Sequence, residues 1–167
     1  MSEIEIRPAS LSEIPAIQLI ARETWPETFR EILSPEQIEY MLGWMYASDV
    51  LADQMQYKGH HFILAFSDGF PVGFCGYEPH FAGTPITRIH KIYLLPRMQG
   101  KGVGIALMNY VRSQALQVGD RTLNLNVNRF NKAVGFYQKI GFSIVREENI
   151  DIGRGYLMED YVMECSI

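Results

Sequence analysis

Leu94-Leu95-Pro96-Arg97-Met98-Gln99-Gly100-Lys101-Gly102-Val103-Gly104 is the stretch on which the reading of this chain turns. An apolar strand runs into a proline, alternating glycines follow, and a helical apolar stripe of Leu107, Tyr110, Val111, Ala115 and Val118 begins at once and closes near Gly119. Glycines let a backbone turn so that successive N–H groups face one concavity, and the following helix adds its unpaired first amides and the positive end of its dipole. The segment reads as a diphosphate cradle. Two better-known phosphate loops do not fit. A Walker loop needs Ser or Thr after its lysine, whereas Lys101 stands between glycines, and a dinucleotide fingerprint needs glycine where Ile105 stands. The turn also follows a fourth predicted strand, and Asp120 precedes the next strand instead of ending it, so a dinucleotide-binding domain is the second reading.

Working upstream, His61 to Phe66, Pro71 to Tyr77 and Thr87 to Leu95 are apolar strand-like runs joined by Ser67-Asp68-Gly69 and by a loop around Gly83-Thr84-Pro85, which predicts a three-stranded meander. Before it lie a short strand at Ile4-Glu5-Ile6-Arg7 and a first helix through Leu11, Ile14, Ile17, Leu19 and Ile20, ending near Pro26. Ser34-Pro35-Glu36-Gln37 supplies a cap, a first-turn proline and an acid for a second helix through Met41, Trp44 and Met45. Downstream, Leu123, Leu125 and Val127 alternate with Asn124, Asn126 and Asn128, a strand with one buried and one amide-lined face. Strand, crossover helix, strand implies parallel pairing. A short helix, Ala133-Phe136-Tyr137-Ile140 on one face, stops at Gly141, and Phe142 to Val145 and Tyr156 to Cys165 close the sheet around Gly153-Arg154-Gly155.

At 167 residues the chain is one domain over 1–167, large enough to bury a core without disulfide or metal. Its opening residues have neither the basic nor the apolar segment of a leader, and no apolar run reaches the length of a membrane span, so a cytoplasmic protein with no membrane partner is expected. Cys75 and Cys165 are far apart and read as reduced thiols. The formal net charge of −4 argues against nucleic acid as a partner, but it hides a separation. Residues 1–56 hold ten acids against three bases, whereas residues 88–139 hold nine bases against Asp120 alone. A polyanionic ligand is drawn to the second segment.

Gln99-Gly100-Lys101-Gly102-Val103-Gly104 resembles the Gln/Arg-x-x-Gly-x-Gly/Ala signature of Gcn5-related N-acetyltransferases. Asn131-Lys132-Ala133-Val134-Gly135-Phe136-Tyr137-Gln138-Lys139-Ile140-Gly141-Phe142 resembles that family's second signature, with Gly135 where alanine is commoner. The resemblance runs from about Gly69 to Phe142. It implies an α/β fold with a mixed sheet of about seven strands, helices on both faces, and a splay between strands 4 and 5 that admits acetyl-CoA. It further implies that amides from Gln99, Gly100, Lys101, Gly102, Val103, Gly104 and Ile105 hold the CoA diphosphate. The backbone of Ile92, Tyr93 and Leu94 would pair with the pantetheine arm, Leu94 donating to the acetyl carbonyl, while Asn131 touches that arm and Lys139 neutralises phosphate. Tyr137 would protonate the departing thiolate, and no metal is required. A non-catalytic acyl-CoA-binding module would keep the loop but has no need of the Tyr137 hydroxyl.

The residues agree about Tyr137: it shares an apolar face with Ala133, Phe136 and Ile140, and a phenol with an unperturbed pKa of about 10 is a proton donor at neutral pH. A base for the attacking amine is less plain. Alternation puts Arg88, His90, Ile92 and Leu94 inward without an acid, so His90 is the first candidate and Glu78, on the neighbouring strand, the second. Asn124 and Asn126 are candidates to hold water or the acceptor. The acidic first third points to a small cationic amine, and Glu23-Thr24-Trp25-Pro26-Glu27-Thr28-Phe29 resembles the acceptor-side helix of bacterial spermidine/spermine-type acetyltransferases. That implies contacts from Glu23 and Glu27 to ammonium groups and from Trp25 and Phe29 to methylene spacers. Pairing of the closing strands across a homodimer is the expected assembly.

Overall fold

A computed structural model describes residues 3–167, leaving Met1 and Ser2 outside the described residues. In chain order the elements are β1 (Ile4–Pro8), α1 (Ile14–Phe29), α2 (Pro35–Met45), α3 (Ser48–Tyr57), β2 (His61–Ser67), β3 (Phe70–Glu78) and β4 (Ile86–Leu94). There follow α4 (Val103–Gln117), β5 (Thr122–Asn128), α5 (Ala133–Lys139), β6 (Ser143–Asp151) and β7 (Leu157–Ser166). The seven strands form one sheet in the order β1-β2-β3-β4-β5-β7-β6. The predicted meander, crossover and closing strands are all present. The third helix, α3, escaped the sequence reading, and β6 runs to Asp151, six residues beyond the expected end at Val145. No helix among the described residues is long and apolar enough to cross a membrane.

Helix α1 continues past Pro26 to Phe29. The proline removes one i→i−4 bond, but the turn beyond it is held by side chains: Trp25 and Phe29 are 1% and 2% exposed, with ring centroids 4.6 Å apart. Apolar burial of that size, about 2–3 kcal/mol per large side chain, offsets the lost bond. At α2 the cap is as read, the Ser34 hydroxyl accepting from the Gln37 amide at 3.1 Å.

Two irregularities of β4 shape the middle of the sheet. The parallel β4–β5 pairing spans only Ile86↔Thr122 to Ile89↔Leu125, after which the strands part. The remaining five residues of β4 therefore have a free edge. In the β3–β4 ladder the register slips between Gly76↔Lys91 and Tyr77↔Ile89, which leaves His90 as the extra residue of a β-bulge. A bulge breaks the simple alternation of side chains. Arg88 and His90 lie on the face covered by α1–α3, and so do Lys91, beside the Tyr46 and Phe62 rings, and Tyr93, beside Trp25 and Phe74. The expected inward series Arg88, His90, Ile92, Leu94 is thus cut at His90, and Leu94 packs towards α4, next to Gly104.

Strand β7 has β5 on one side and β6 on the other, so both its edges are used within the chain. Pairing of Tyr156 to Cys165 across a dimer is therefore blocked by β6. The outermost strands of the sheet are β1 and β6.

Candidate active site

The opening between β4 and β5 meets the start of α4. Gly100 and Gly102 have φ of +77° and +84°, a region that L side chains avoid, and they reverse the chain into the helix. The first i→i−4 bond of α4 runs from the Ala106 amide to the Gly102 carbonyl at 3.0 Å, so the amides of Val103, Gly104 and Ile105 precede any such bond. Gln99, Gly100, Lys101 and Gly102 are exposed around them. A Cβ on Gly104 would lie 3.3 Å from Phe136 Cζ and 3.6 Å from Leu94 Cδ2, so its lack of a side chain lets α4, α5 and β4 close on one another. The result is a set of free helix-start amides beside an open strand edge.

Backbone polarity along that edge follows from one bond. The Leu95 amide donates to Val72 O of β3 at 2.8 Å, and backbone groups alternate in direction along a strand. Ile92 and Leu94 therefore direct N–H and C=O into the gap, and the Leu94 carbonyl takes a long bond of 3.4 Å from Thr24 Oγ1. Tyr93, two residues from Leu95, faces β3 opposite Phe74. Its expected backbone pairing with a ligand is replaced by pairing with β3, while the Ile92 and Leu94 amides remain free to donate.

Tyr137 is 7% exposed, its ring between Phe136 and Phe142 at 5.5 and 5.8 Å, and its hydroxyl bonds no protein group among the described residues. Burial, with Tyr93 and Cys75 nearby, pushes its pKa well above the ordinary tyrosine value, so it stays protonated at neutral pH. Asn131 sits at the entry of α5, where its Oδ1 accepts the Ala133 amide at 2.9 Å, and Lys139 is exposed at the helix end.

His90 and Glu78, the two alternative candidates for the base, are in contact, and His60 joins them. His90 Nε2 lies 3.0 Å and His60 Nε2 3.4 Å from the same Glu78 Oε1, and the two imidazoles stack with centroids 4.0 Å apart and planes 7° apart. The three ligand atoms lie within 4.8 Å of one another, the spacing of a metal-ligand group. The stacked rings, however, aim their lone pairs along parallel planes instead of at one point, which suits a shared carboxylate acceptor better than a tetrahedral ion. Burial is the main cause that holds both His60 and His90 down at about 4, so both are neutral at pH 7. His90 is thus a weaker base than its free value of about 6.5 promised.

The expected acceptor contacts on α1 divide between two faces. Successive helical residues turn about 100°. Glu23 and Glu27 therefore stand on one side and Trp25 and Phe29 on the other. The acids are exposed and paired, Glu23 with Arg97 at 3.7 Å and Glu27 with Arg30 at 3.7 Å. Trp25 and Phe29 are core, and their rings have no free face for a substrate spacer. Asn124 is engaged on both sides of its amide, accepting from Arg88 at 2.6 Å and donating to Glu164 at 2.9 Å. Asn126 donates to Glu148 at 3.2 Å and to Asp160 at 3.3 Å. Asp160 was missed, although alternation along β7 sets Asp160, Val162 and Glu164 opposite Asn128, Asn126 and Asn124 and so extends the amide-lined face.

An open strand edge with outward amides, a glycine turn into a helix start at its end and a buried phenol are an arrangement compatible with acyl transfer. The comparisons with known proteins agree. Residues 15–142 match the acetyltransferase (GNAT) family, and the chain belongs to that family. It is 28% identical to the spermidine N(1)-acetyltransferase of Thermoplasma acidophilum over 93% of this chain and 96% of that protein. An uncharacterised N-acetyltransferase of Methanocaldococcus jannaschii is 32% identical over 58% of this chain, which spans only 42% of that relative's length. Among solved structures, the PaiA N-acetyltransferase of Thermoplasma acidophilum in complex with coenzyme A superposes with a TM-score of 0.84 at 26% identity, covering 99% of both chains. The chain is thus an N-acetyltransferase by family, fold and relatives.

Proposed function

We propose that this protein transfers an acetyl group from acetyl-CoA to a primary amine of a small cationic substrate, of the polyamine or diamine kind, by direct attack in a ternary complex. The observation that carries the reading is the parting of β4 from β5 after Ile89↔Leu125 next to the glycine turn. It supports a pantetheine strand against Ile92 and Leu94 and a diphosphate on the Gly100–Ile105 amides, with Lys101 and Lys139 as neutralising charges. Acetyl-CoA supplies an activated thioester carbonyl. The Leu94 amide donates to that carbonyl oxygen as negative charge develops on it. Tyr137 gives its proton to the departing sulfur. His90, neutral and bonded to Glu78, receives the proton lost by the attacking amine, the resulting imidazolium being held by the Glu78 carboxylate. Asn131 orders the entry of α5, which sets the height of Tyr137.

For the acceptor, support comes from the spermidine-acetylating relative and from the acids along α1–α3 and the turn between α1 and α2. Glu23, Glu27, Glu31, Glu36 and Asp49 are all exposed, so their part is to draw a polycation to the cleft by field, while the amide-lined face of β5 and β7 makes the contacts. A panel of spermidine, 1,4-diaminobutane, n-butylamine and a peptide with a free N-terminus, assayed for CoA release, tests this. Diamines should show the higher kcat/KM, with a preference that shrinks as salt is raised. Equal efficiency for 1,4-diaminobutane and n-butylamine at low salt refutes the polyamine assignment.

A further inference from the structure

We infer that the Asp160 carboxylate and the Asn126 side-chain carbonyl form a socket for the primary ammonium group of the acceptor, which makes Asp160 the residue that selects a protonated primary amine. The inference rests on the acetyltransferase reading for the identity of the ligand, but its observations are separate. Asp160 is 6% exposed. Its Oδ1 and the Asn126 Oδ1 are both buried hydrogen-bond acceptors with no partner among the described residues. Buried acceptors are nearly always paired, and two unpaired ones on the same face of adjoining strands require a donor from outside the chain. Among the described residues Asp160 has no ion pair; the nearby Arg88 gives its Nη1 to Asn124 at 2.6 Å, and its buried Nε, like the two oxygens, has no hydrogen-bond partner.

The remaining bonds fix what the ligand must be. Both protons of Asn126 Nδ2 are spent on Glu148 Oε2 and Asp160 Oδ2, at 3.2 and 3.3 Å, so the amide is oriented with its oxygen free. The pair therefore offers only acceptors, one of them charged, and matches a group that is cationic and carries at least two N–H bonds. A primary ammonium satisfies both conditions, whereas a quaternary ammonium has the charge without the donors. After losing one proton the amine still has two N–H bonds for the two oxygens, and its lone pair is then free to attack. Asp160 stands on β7 opposite Asn128, with only β5 between it and the free edge of β4. It is also near enough to Tyr93 of β4 to oppose that phenol's ionisation. Glu148, bonded to the same amide, one-third exposed at 34% and paired with Arg146 at 3.1 Å, stands on its solvent side. Burial raises the pKa of Asp160 against the opposing pull of Arg88 and Arg129, as expected of a carboxylate with no cation in direct contact.

Asp160→Asn keeps the shape and removes the charge. With acetyl-CoA saturating, its KM for 1,4-diaminobutane should rise at least tenfold, while its Kd for acetyl-CoA stays within twofold of wild type and its Tm does not fall. Calorimetric titration of the CoA-bound proteins with n-butylamine and butyltrimethylammonium provides a readout independent of turnover. Wild type should bind the primary amine at least tenfold more tightly than the quaternary one, and Asp160→Asn should abolish that ratio. An unchanged KM, a ratio unaffected by the substitution, or a Tm that drops in step with activity overturns the socket. If wild type acetylates no amine at all, the acceptor reading fails, and the titration ratio alone then decides the inference.

Discussion

Replacing Tyr137 by Phe removes one oxygen from a ring that is otherwise held by packing. The ring keeps its neighbours Phe136 and Phe142, and the hydroxyl bonds no protein group among the described residues, so no internal hydrogen bond is lost. Stability should therefore stay within about 0.5 kcal/mol of wild type, the range of a substitution that breaks no packing or polar contact. The chemistry should change far more. General acid catalysis contributes about a hundredfold or more, and at about 1.4 kcal/mol per tenfold that is close to 3 kcal/mol of barrier. We expect kcat, read as CoA release with a thiol reagent, to fall about a hundredfold, with KM for acetyl-CoA within twofold. Burial keeps the phenol protonated at neutral pH, so the wild-type rate should show no loss from its ionisation between pH 7 and 9. A variant with wild-type kcat refutes the proton-donor role; a variant that loses several kcal/mol of stability shows that the hydroxyl was holding the fold.

Three further outcomes follow from the same geometry. Gly102→Val places a branched side chain at a φ of +84°, which costs about 1–2 kcal/mol, and it should raise the Kd for acetyl-CoA at least tenfold by calorimetry; an unchanged Kd removes the cradle. His60 and His90 are held at about 4 in the folded protein against about 6.5 unfolded, so the unfolded chain binds the extra protons between those values. Stability should accordingly fall as pH drops from about 6.5 towards 4, with a shallower Tm profile in His60→Gln, and identical profiles would contradict this. Trp25→Ala should destabilise by about 3–5 kcal/mol in urea unfolding, since the indole is 1% exposed among Phe29, Tyr46 and Tyr93, and a loss below 1 kcal/mol would argue against its core role.

The parts of the fold legible in the sequence are those with a local cause. Glycines at the β4–α4 turn, the Ser34 cap and the alternation in β5 each act within a few residues, and each appears where it was read. Three features depend on distant partners and were not legible. Helix α1 runs through Pro26 because Trp25, with Phe29 beside it, packs onto Tyr46 and Tyr93 from outside the helix. The bulge at His90 arises in the ladder with β3, and it turns Lys91 and Tyr93 to the face that simple alternation denied them. The His60 contact with Glu78 joins residues eighteen positions apart, which no spacing rule predicts. For the site, the glycine turn and the buried face of α5 that carries Tyr137 were legible because their residues are contiguous. The acceptor contacts were not, since a run of alternating residues on a helix splits between two faces. Asp160 needed only the parity of β7 carried across to β5.

Acetyl transfer itself provides the most direct test. Purified protein incubated with acetyl-CoA and 1,4-diaminobutane at pH 7.5, with products resolved by mass spectrometry, should yield one N-acetylated diamine for each free CoA, and no comparable CoA release when the amine is omitted. Consumption of acetyl-CoA without acetylated product, or no turnover with any amine of the panel despite tight acetyl-CoA binding, would contradict the account.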